Sequence, residues 1–239
     1  MKLKIHKDKN EVAKAFSEYL KELIENSEVP LHIALSGGST PKAIFDYMAE
    51  NYKETIDWNK LHLYWGDERC VPPTDSESNY KMTVDHLLSK INFPEENIHR
   101  VLGENDPVEE AQRYGELLKK QLPNDEDGVL FDLVILGMGD DGHTASIFPY
   151  NIELWESENI CEVALHPDSG QKRVTITGNV INNAKEVAFL VTGAGKAEKV
   201  EIIINEHDGF EKYPAALVAP YTEELTWFLD EAAAARLEV

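Results

Sequence analysis

The sequence predicts a three-layer α/β fold built on a mostly parallel sheet. Three observations carry this. Short apolar runs at Leu31–Leu35, 131–136 and 187–191 read as strands buried on both faces. Each runs into a glycine-bearing turn, and segments of helical period lie between the runs. With 239 residues the chain is long enough to bury a substantial core.

Taken in order, residues 3–5 form a short strand. Asp8 or Asn10 then opens a helix to Glu25, with Val12, Ala13, Phe16, Tyr19, Leu20 and Leu23 at helical spacing. The strand Leu31–Leu35 enters Ser36-Gly37-Gly38-Ser39-Thr40-Pro41, and Pro41 suits the first turn of the helix that follows. Leu61–Trp65 is a strand that ends in Gly66-Asp67-Glu68-Arg69. Next come a polar loop, a helix over 79–88, a short strand over 98–102, a helix over 107–122 and an acidic turn over 123–128. The strand 131–136 breaks into Gly137, Gly139 and Gly142, and residues 145–148 are expected as a short helix ended by Pro149. Segments 160–165 and 173–177 read as antiparallel strands around Pro167-Asp168-Ser169-Gly170, a small subsidiary sheet. After the strand 187–191 a helix runs to Ile204 with Lys196 in its first turn. Late strands are expected over 215–218 and 225–229, and Asp230 is expected to cap a terminal helix over 231–237. No repeat, low-complexity tract or linker interrupts this order. The expectation is one Rossmann-like domain over 1–239.

Composition narrows the function. Apolar residues at 42% and charged residues at 28% describe a soluble globular protein. The net charge of −21 argues against nucleic acid or an anionic membrane as partner, so any anion site must gather cations and backbone N–H groups locally. Two cysteines make no disulfide framework, and the start MKLKIHKDKN has no apolar leader core, so the cytoplasm is the expected location.

Four stretches carry chemistry. In Ser36–Pro41, Gly37 and Gly38 let N–H groups converge, Ser39 and Thr40 add hydroxyls, and a helix start adds positive potential. This suits a phosphate, although an ordinary capped turn would look the same. Asp67 and Arg69 follow a strand, where Arg69 could hold an anion in bidentate fashion or join a surface salt-bridge cluster. Lys196 at a helix start opposes the helix dipole, which a bound anion or plain exposure would relieve; Arg173 opens a strand and could simply face water. In Asp141-Gly142-His143 the carboxylate could orient the imidazole as in hydrolytic sites, or both could be turn and helix caps. The match of Gly137, Gly139 and Gly142 to a dinucleotide fingerprint is set aside, because Asp140 and Asp141 carry the wrong sign for a pyrophosphate.

Together these motifs resemble the 6-phosphogluconolactonase family, within the glucosamine/galactosamine-6-phosphate isomerase superfamily. The resemblance rests on S-G-G-S-T-P at 36–41, W-G-D-E-R at 65–69, S-N-Y at 78–80 and G-M-G-x-D-G-H-T-A-S-x-F-P at 137–149. R-V-T at 173–175, V-T-G-x-x-K at 191–196 and W-F-L-D at 227–230 complete it. Tyr150 stands where a glycine is common, and Gly195 where an acid often precedes the lysine. The resemblance implies hydrolysis of 6-phospho-D-glucono-1,5-lactone to 6-phospho-D-gluconate in the oxidative pentose phosphate pathway, with no metal or organic cofactor. It implies His143 and Asp141 as catalytic residues. Gly37, Gly38, Ser39, Thr40, Arg69, Arg173 and Lys196 would hold the phosphate, and Asp67 the substrate hydroxyls or Arg69. The implied partner is a small sugar-phosphate lactone, with a monomer favoured. The alternatives are a glucosamine-6-phosphate deaminase or isomerase, and a sugar-phosphate sensor without chemistry. Thr144-Ala145-Ser146-Ile147-Phe148-Pro149 after the histidine follows the lactonase pattern rather than that of the deaminases.

Overall fold

The computed structural model describes residues 1–238. In the first half of the chain, β1 (Lys2–His6) leads to α1 (Lys9–Asn26), β2 (Leu31–Leu35), α2 (Ser39–Asn51) and β3 (Leu61–Trp65). Then come β4 (Asp67–Arg69), α3 (Asn79–His86), β5 (Ile98–His99), α4 (Pro107–Gln121), and a minimal hairpin of β6 (Asn124–Asp125) and β7 (Gly128–Val129). The second half holds β8 (Leu133–Leu136), β9 (Cys161–Leu165), β10 (Lys172–Ile176) and α5 (Gly178–Asn182). It ends with β11 (Glu186–Val191), α6 (Ala197–Ile204) and β12 (Leu225–Asp230). Helix α1 starts where Asp8 accepts from the N–H groups of Asn10 and Glu11, and it buries Val12, Ala13, Phe16, Leu20 and Ile24 along one stripe.

Seven strands form one sheet in the order β1-β12-β11-β8-β2-β3-β5, every neighbouring pair parallel. From β1 through β2 and β3 to β5 the chain steps one way across the sheet, and from β5 through β8 and β11 to β12 it steps back. Right-handed crossovers therefore put α1, α2 and α3 on one face, and α4, α5, α6 and the small sheet on the other. β8 is buried at all four positions, as a strand covered on both faces must be.

The switch of direction falls between β2 and β8. Their ladder holds only Ile33 opposite Leu133 and Ala34 opposite Val134, whereas β2 and β3 pair over five positions. Past that short ladder β2 turns toward α2 and β8 turns to the opposite face, which opens a crevice at the carboxyl edge.

The second sheet has the order β4-β10-β9 and is antiparallel. The β9–β10 pair is the one the sequence announces. Asp67–Arg69 joins it as a third strand, which the salt-bridge reading of that run did not foresee.

Four local expectations are corrected. Residues 145–148 are not a helix: Thr144 and Ile147 bridge each other, Ala145 takes φ +48°, and Pro149 instead opens a 3₁₀ segment to Glu156. Residues 215–218 are not a strand, because Pro214 starts a 3₁₀ turn and the Ala215 N–H donates to the Gly142 carbonyl. The strand expected over 98–102 stops at His99, since the Leu102 N–H is taken by the Glu110 carboxylate at 2.7 Å. Residues 231–237 form turns rather than a helix, although Asp230 does accept from the Ala233 N–H. Among the described residues no helix is long and apolar enough to cross a membrane.

His32, His62 and His99 lie side by side on β2, β3 and β5, with His62 Nδ1 3.0 Å from His99 Nε2. Burial lowers the affinity of all three rings for protons, and for His99 the neighbouring histidines add to it, down to about 4. Unfolded histidine binds a proton near pH 6.5, so the stability these neutral rings contribute is present above about pH 6.5 and is lost as pH falls toward about 4. The melting temperature should fall between pH 7 and pH 5, before most carboxylates titrate, and it should fall less in a His62→Gln/His99→Gln variant. Equal slopes in the two proteins would refute this origin.

Candidate active site

The glycine turn that the sequence offers as a phosphate cradle lies where β2 hands over to α2. Gly38 takes φ +109°, a region closed to most side chains, and caps α2 while leaving the first N–H groups of the helix without intrahelical partners. At Gly37 a Cβ would lie 1.9 Å from the Asn79 Oδ1, so only glycine lets the start of α3 come this close. Asn79 in turn donates through Nδ2 to the Asp67 carbonyl at 3.0 Å. Ser39 is exposed and lies outside the cavity. Thr40 is buried, and its hydroxyl bonds that of Thr192 at 2.8 Å, so it braces two loops rather than pointing into the crevice.

The small sheet delivers the arginines. In the β4–β10 register Arg69 stands opposite Arg173, two like charges side by side, which is unfavourable unless something offsets it. Neither has a salt-bridge partner among the described residues. Arg69 donates from Nη1 to the Glu77 carbonyl at 2.5 Å, and Arg173 from Nη1 to the Ser146 hydroxyl at 3.4 Å. The Nε of each is buried and has no partner. Arg173 is 8% exposed, so it does not face water as a strand arginine can. Burial pulls its guanidinium below the ordinary arginine value, with Asp67 acting the other way. Asp67 is itself buried and accepts from the Ser146 hydroxyl at 2.6 Å.

The turn after β8 builds the acid–base pair. His143 Nδ1 lies 2.6 Å from Asp141 Oδ1, and that oxygen also accepts the His143 N–H at 3.1 Å. Desolvation raises the Asp141 carboxyl, but its bonds to the imidazole and N–H of His143 outweigh that and bring it below the ordinary carboxylate value. It is therefore ionised near neutral pH, so Nδ1 must be the donor, which in a neutral ring leaves the lone pair on Nε2. Phe148 packs under the ring with centroids 4.5 Å apart, and the Arg173 guanidinium lies 5.7 Å from the same phenyl centroid. Thr144 closes the turn by donating to the Gly137 carbonyl at 2.8 Å.

From the β11 side comes Lys196, whose Nζ is 2.5 Å from the Asp140 carboxylate. A cavity of about 240 Å³ collects these groups, and Gly37, Gly38, Asp67, Arg69, His143, Arg173 and Lys196 all line it. Asp141 stands behind His143, while Ser39 and Thr40 are not in the lining. Ser36, Asn79, Gly137, Met138, Gly139 and Ala145 complete the wall and were not singled out as site residues from sequence. For Asn79 the S-N-Y motif was a signal, since Ser78 caps α3 there, but its approach to Gly37 is a tertiary fact. A larger hollow of about 480 Å³ lies between α4 and β9, without a comparable convergence of charged and acid–base groups. Among the described residues no three His, Cys, Asp or Glu side chains are grouped as a metal site would require.

Comparison with known proteins gives a consistent set of relatives. The sequence model of the family described as glucosamine-6-phosphate isomerases/6-phosphogluconolactonase matches residues 7–227. A 6-phosphogluconolactonase of Haemophilus influenzae is 46% identical over 205 residues, which cover 85% of this chain and 86% of that protein. One from Treponema pallidum is 42% identical over 206 residues, covering 86% and 85%. Among solved structures, a 6-phosphogluconolactonase of Trypanosoma brucei has a TM-score of 0.88 at 30% identity, covering 99% of this chain and 98% of that one.

The acid–base pair admits only glycine at position 139, where a Cβ would lie 2.2 Å from His143 Nδ1 and 2.6 Å from Asp141 Oδ1. Gly139→Ala should therefore break the Asp141–His143 bond. The low-field imidazole proton signal in the NMR spectrum reports this bond, and it should disappear in the variant. Survival of that signal at its original shift would contradict the geometry.

Proposed function

The chain belongs to the family of glucosamine-6-phosphate isomerases and 6-phosphogluconolactonases, and from that premise we propose that it hydrolyses 6-phospho-D-glucono-1,5-lactone to 6-phospho-D-gluconate. The observation that carries this reading is one cavity holding both an oriented imidazole and a cluster of cations with unspent donors. An imidazole whose Nδ1 is tied to a carboxylate can take a proton at Nε2. Arg69, Arg173, Lys196 and the N–H groups at the start of α2 suit a phosphate dianion.

In the proposed reaction the phosphate anchors the lactone so that its carbonyl carbon faces His143. Nε2 takes a proton from water as the water oxygen attacks that carbon. Asp141 stabilises the imidazolium that forms. The tetrahedral intermediate then collapses and the ring oxygen leaves, receiving the proton from Nε2. The released carboxylic acid ionises, so the net change is lactone plus water to 6-phosphogluconate plus one proton. The oxyanion needs N–H donors. Within the 137–143 turn, Gly139 donates to the His143 carbonyl, Gly142 to the Gly139 carbonyl and His143 to Asp141, so these three are spent inside the loop. Donors must come from the rest of the turn or from the cavity wall. The proposed setting is the oxidative pentose phosphate pathway in the cytoplasm.

Purified protein should open fresh lactone faster than the buffer blank, since the lactone also opens on its own. No acceleration would sink the proposal, and ammonia release from glucosamine 6-phosphate would favour the deaminase. His143→Ala should lower kcat by about 10²–10⁴-fold and change KM little.

Arg69→Ala should do the reverse, mainly raising KM by about tenfold to a hundredfold, the value of a lost charge-assisted contact. An unchanged KM in this variant would remove Arg69 from the phosphate site.

A further inference from the structure

At the end of β12, Asp230 holds a carboxylate that is 6% exposed and has no salt-bridge partner among the described residues. An unneutralised buried charge is unfavourable unless hydrogen bonds satisfy it. Here both oxygens accept the Gly193 N–H, at 2.9 and 3.0 Å, and Oδ1 also accepts from the Ala233 N–H at 2.8 Å. Gly193 takes φ +99°, and its own carbonyl accepts the N–H of Lys196 at 3.1 Å. Asp230 thus grips one side of a single peptide turn whose other side grips Lys196. From the opposite wall, the hydroxyl bond between Thr40 and Thr192 ties the residue before Gly193 to the start of α2.

We propose that Asp230 and the Thr192–Thr40 bond are positioning residues for the anion site, fixing the 193–196 turn so that the Lys196 ammonium reaches the cavity in register with the α2 N-terminus. None of the three side chains touches substrate. Asp230 acts through Gly193, and the threonines act through the spacing of the two loops. The inference rests on the phosphate role assigned to Lys196 above.

The test is steady-state kinetics on the full chain with the phosphorylated lactone. Asp230→Asn replaces one acceptor oxygen by a donor facing the Gly193 N–H. It should raise KM by about tenfold while kcat stays within about threefold, the signature of a lost ground-state contact. Thr192→Val should raise KM in the same sense, and Thr192→Ser, which keeps the hydroxyl, should restore it. Because Asp230 acts through Lys196, adding Asp230→Asn to Lys196→Ala should raise KM less than twofold further, whereas independent sites would multiply. A full multiplicative effect in that background overturns the inference, as does an Asp230→Asn enzyme that melts lower with an unchanged KM. If Asp230→Asn does not fold, the Val and Ser variants at Thr192 decide, and equal KM values for the two overturn it. If Lys196→Ala alone leaves KM unchanged, the phosphate reading fails and this inference fails with it. A raised KM for Lys196→Ala with normal Asp230→Asn and Thr192→Val enzymes overturns the inference and leaves the phosphate reading standing.

Discussion

The site depends on the parting of two neighbouring strands. β2 and β8 are joined by a ladder of two residue pairs, and beyond it their chains leave for opposite faces of the sheet. On its other side β2 stays in its ladder with β3, the Leu35 carbonyl accepting the Gly66 N–H at 2.9 Å, and just past β8 the Gly137 carbonyl accepts the Thr144 hydroxyl at 2.8 Å. These bonds hold the rim without filling the crevice. The glycine cradle of α2 then stands on one side and the imidazole turn on the other, facing a common space.

Charge is distributed on two scales. The whole chain carries −21, a field that repels an anion at a distance. Inside the cavity three cations converge, and Arg69 and Arg173 are held in strand register with buried Nε donors left over. Screening reduces the far field over about 10 Å at 0.1 M salt, while contacts between partly buried groups are screened much less. A bound dianion would turn the mutual repulsion of the arginines into a shared attraction, which is a physical reason for such a pairing to persist.

Buried carboxylates hold this arrangement in place. Glu68, 2% exposed, accepts from the N–H groups of Arg69, Asn79 and Tyr80 and from the Ser78 hydroxyl, so β4 and the start of α3 share one acceptor. Burial pushes its carboxyl up, against the pull of those four donors. Glu110, also buried, bonds Arg113 and the Leu102 N–H and so fixes the loop before α4. In that loop Gly103 packs against the Arg69 and Val71 carbonyls so closely that a Cβ would lie 2.4 Å and 2.7 Å from them. Removing Glu68 would leave three backbone donors without that partner, and removing Glu110 would strand the Leu102 N–H and the Arg113 guanidinium, in each case a larger loss than one contact.

The amino-acid sequence by itself determined the buried strands, the long helices and the turns rich in glycine, because these follow from local periodicity and from φ values that only glycine takes readily. It also determined the reactive types and their spacing, so His143 beside Asp141 and the cradle before α2 were legible in it. Where it misled, a distant partner outbid a local preference. Residues 145–148 have helical composition, but Thr144 and Ser146 are claimed by Gly137, Asp67 and Thr175. Residues 215–218 are apolar enough for a strand, but the Ala215 N–H is claimed by Gly142. Only the tertiary structure decided that Arg69 opposes Arg173, that Thr40 bonds Thr192 instead of the cavity, and that Asn79 fills the space at Gly37. These contacts join residues up to 152 positions apart, so nothing in the local pattern encodes them. Strand order and register create them, and those are set only when the whole core packs.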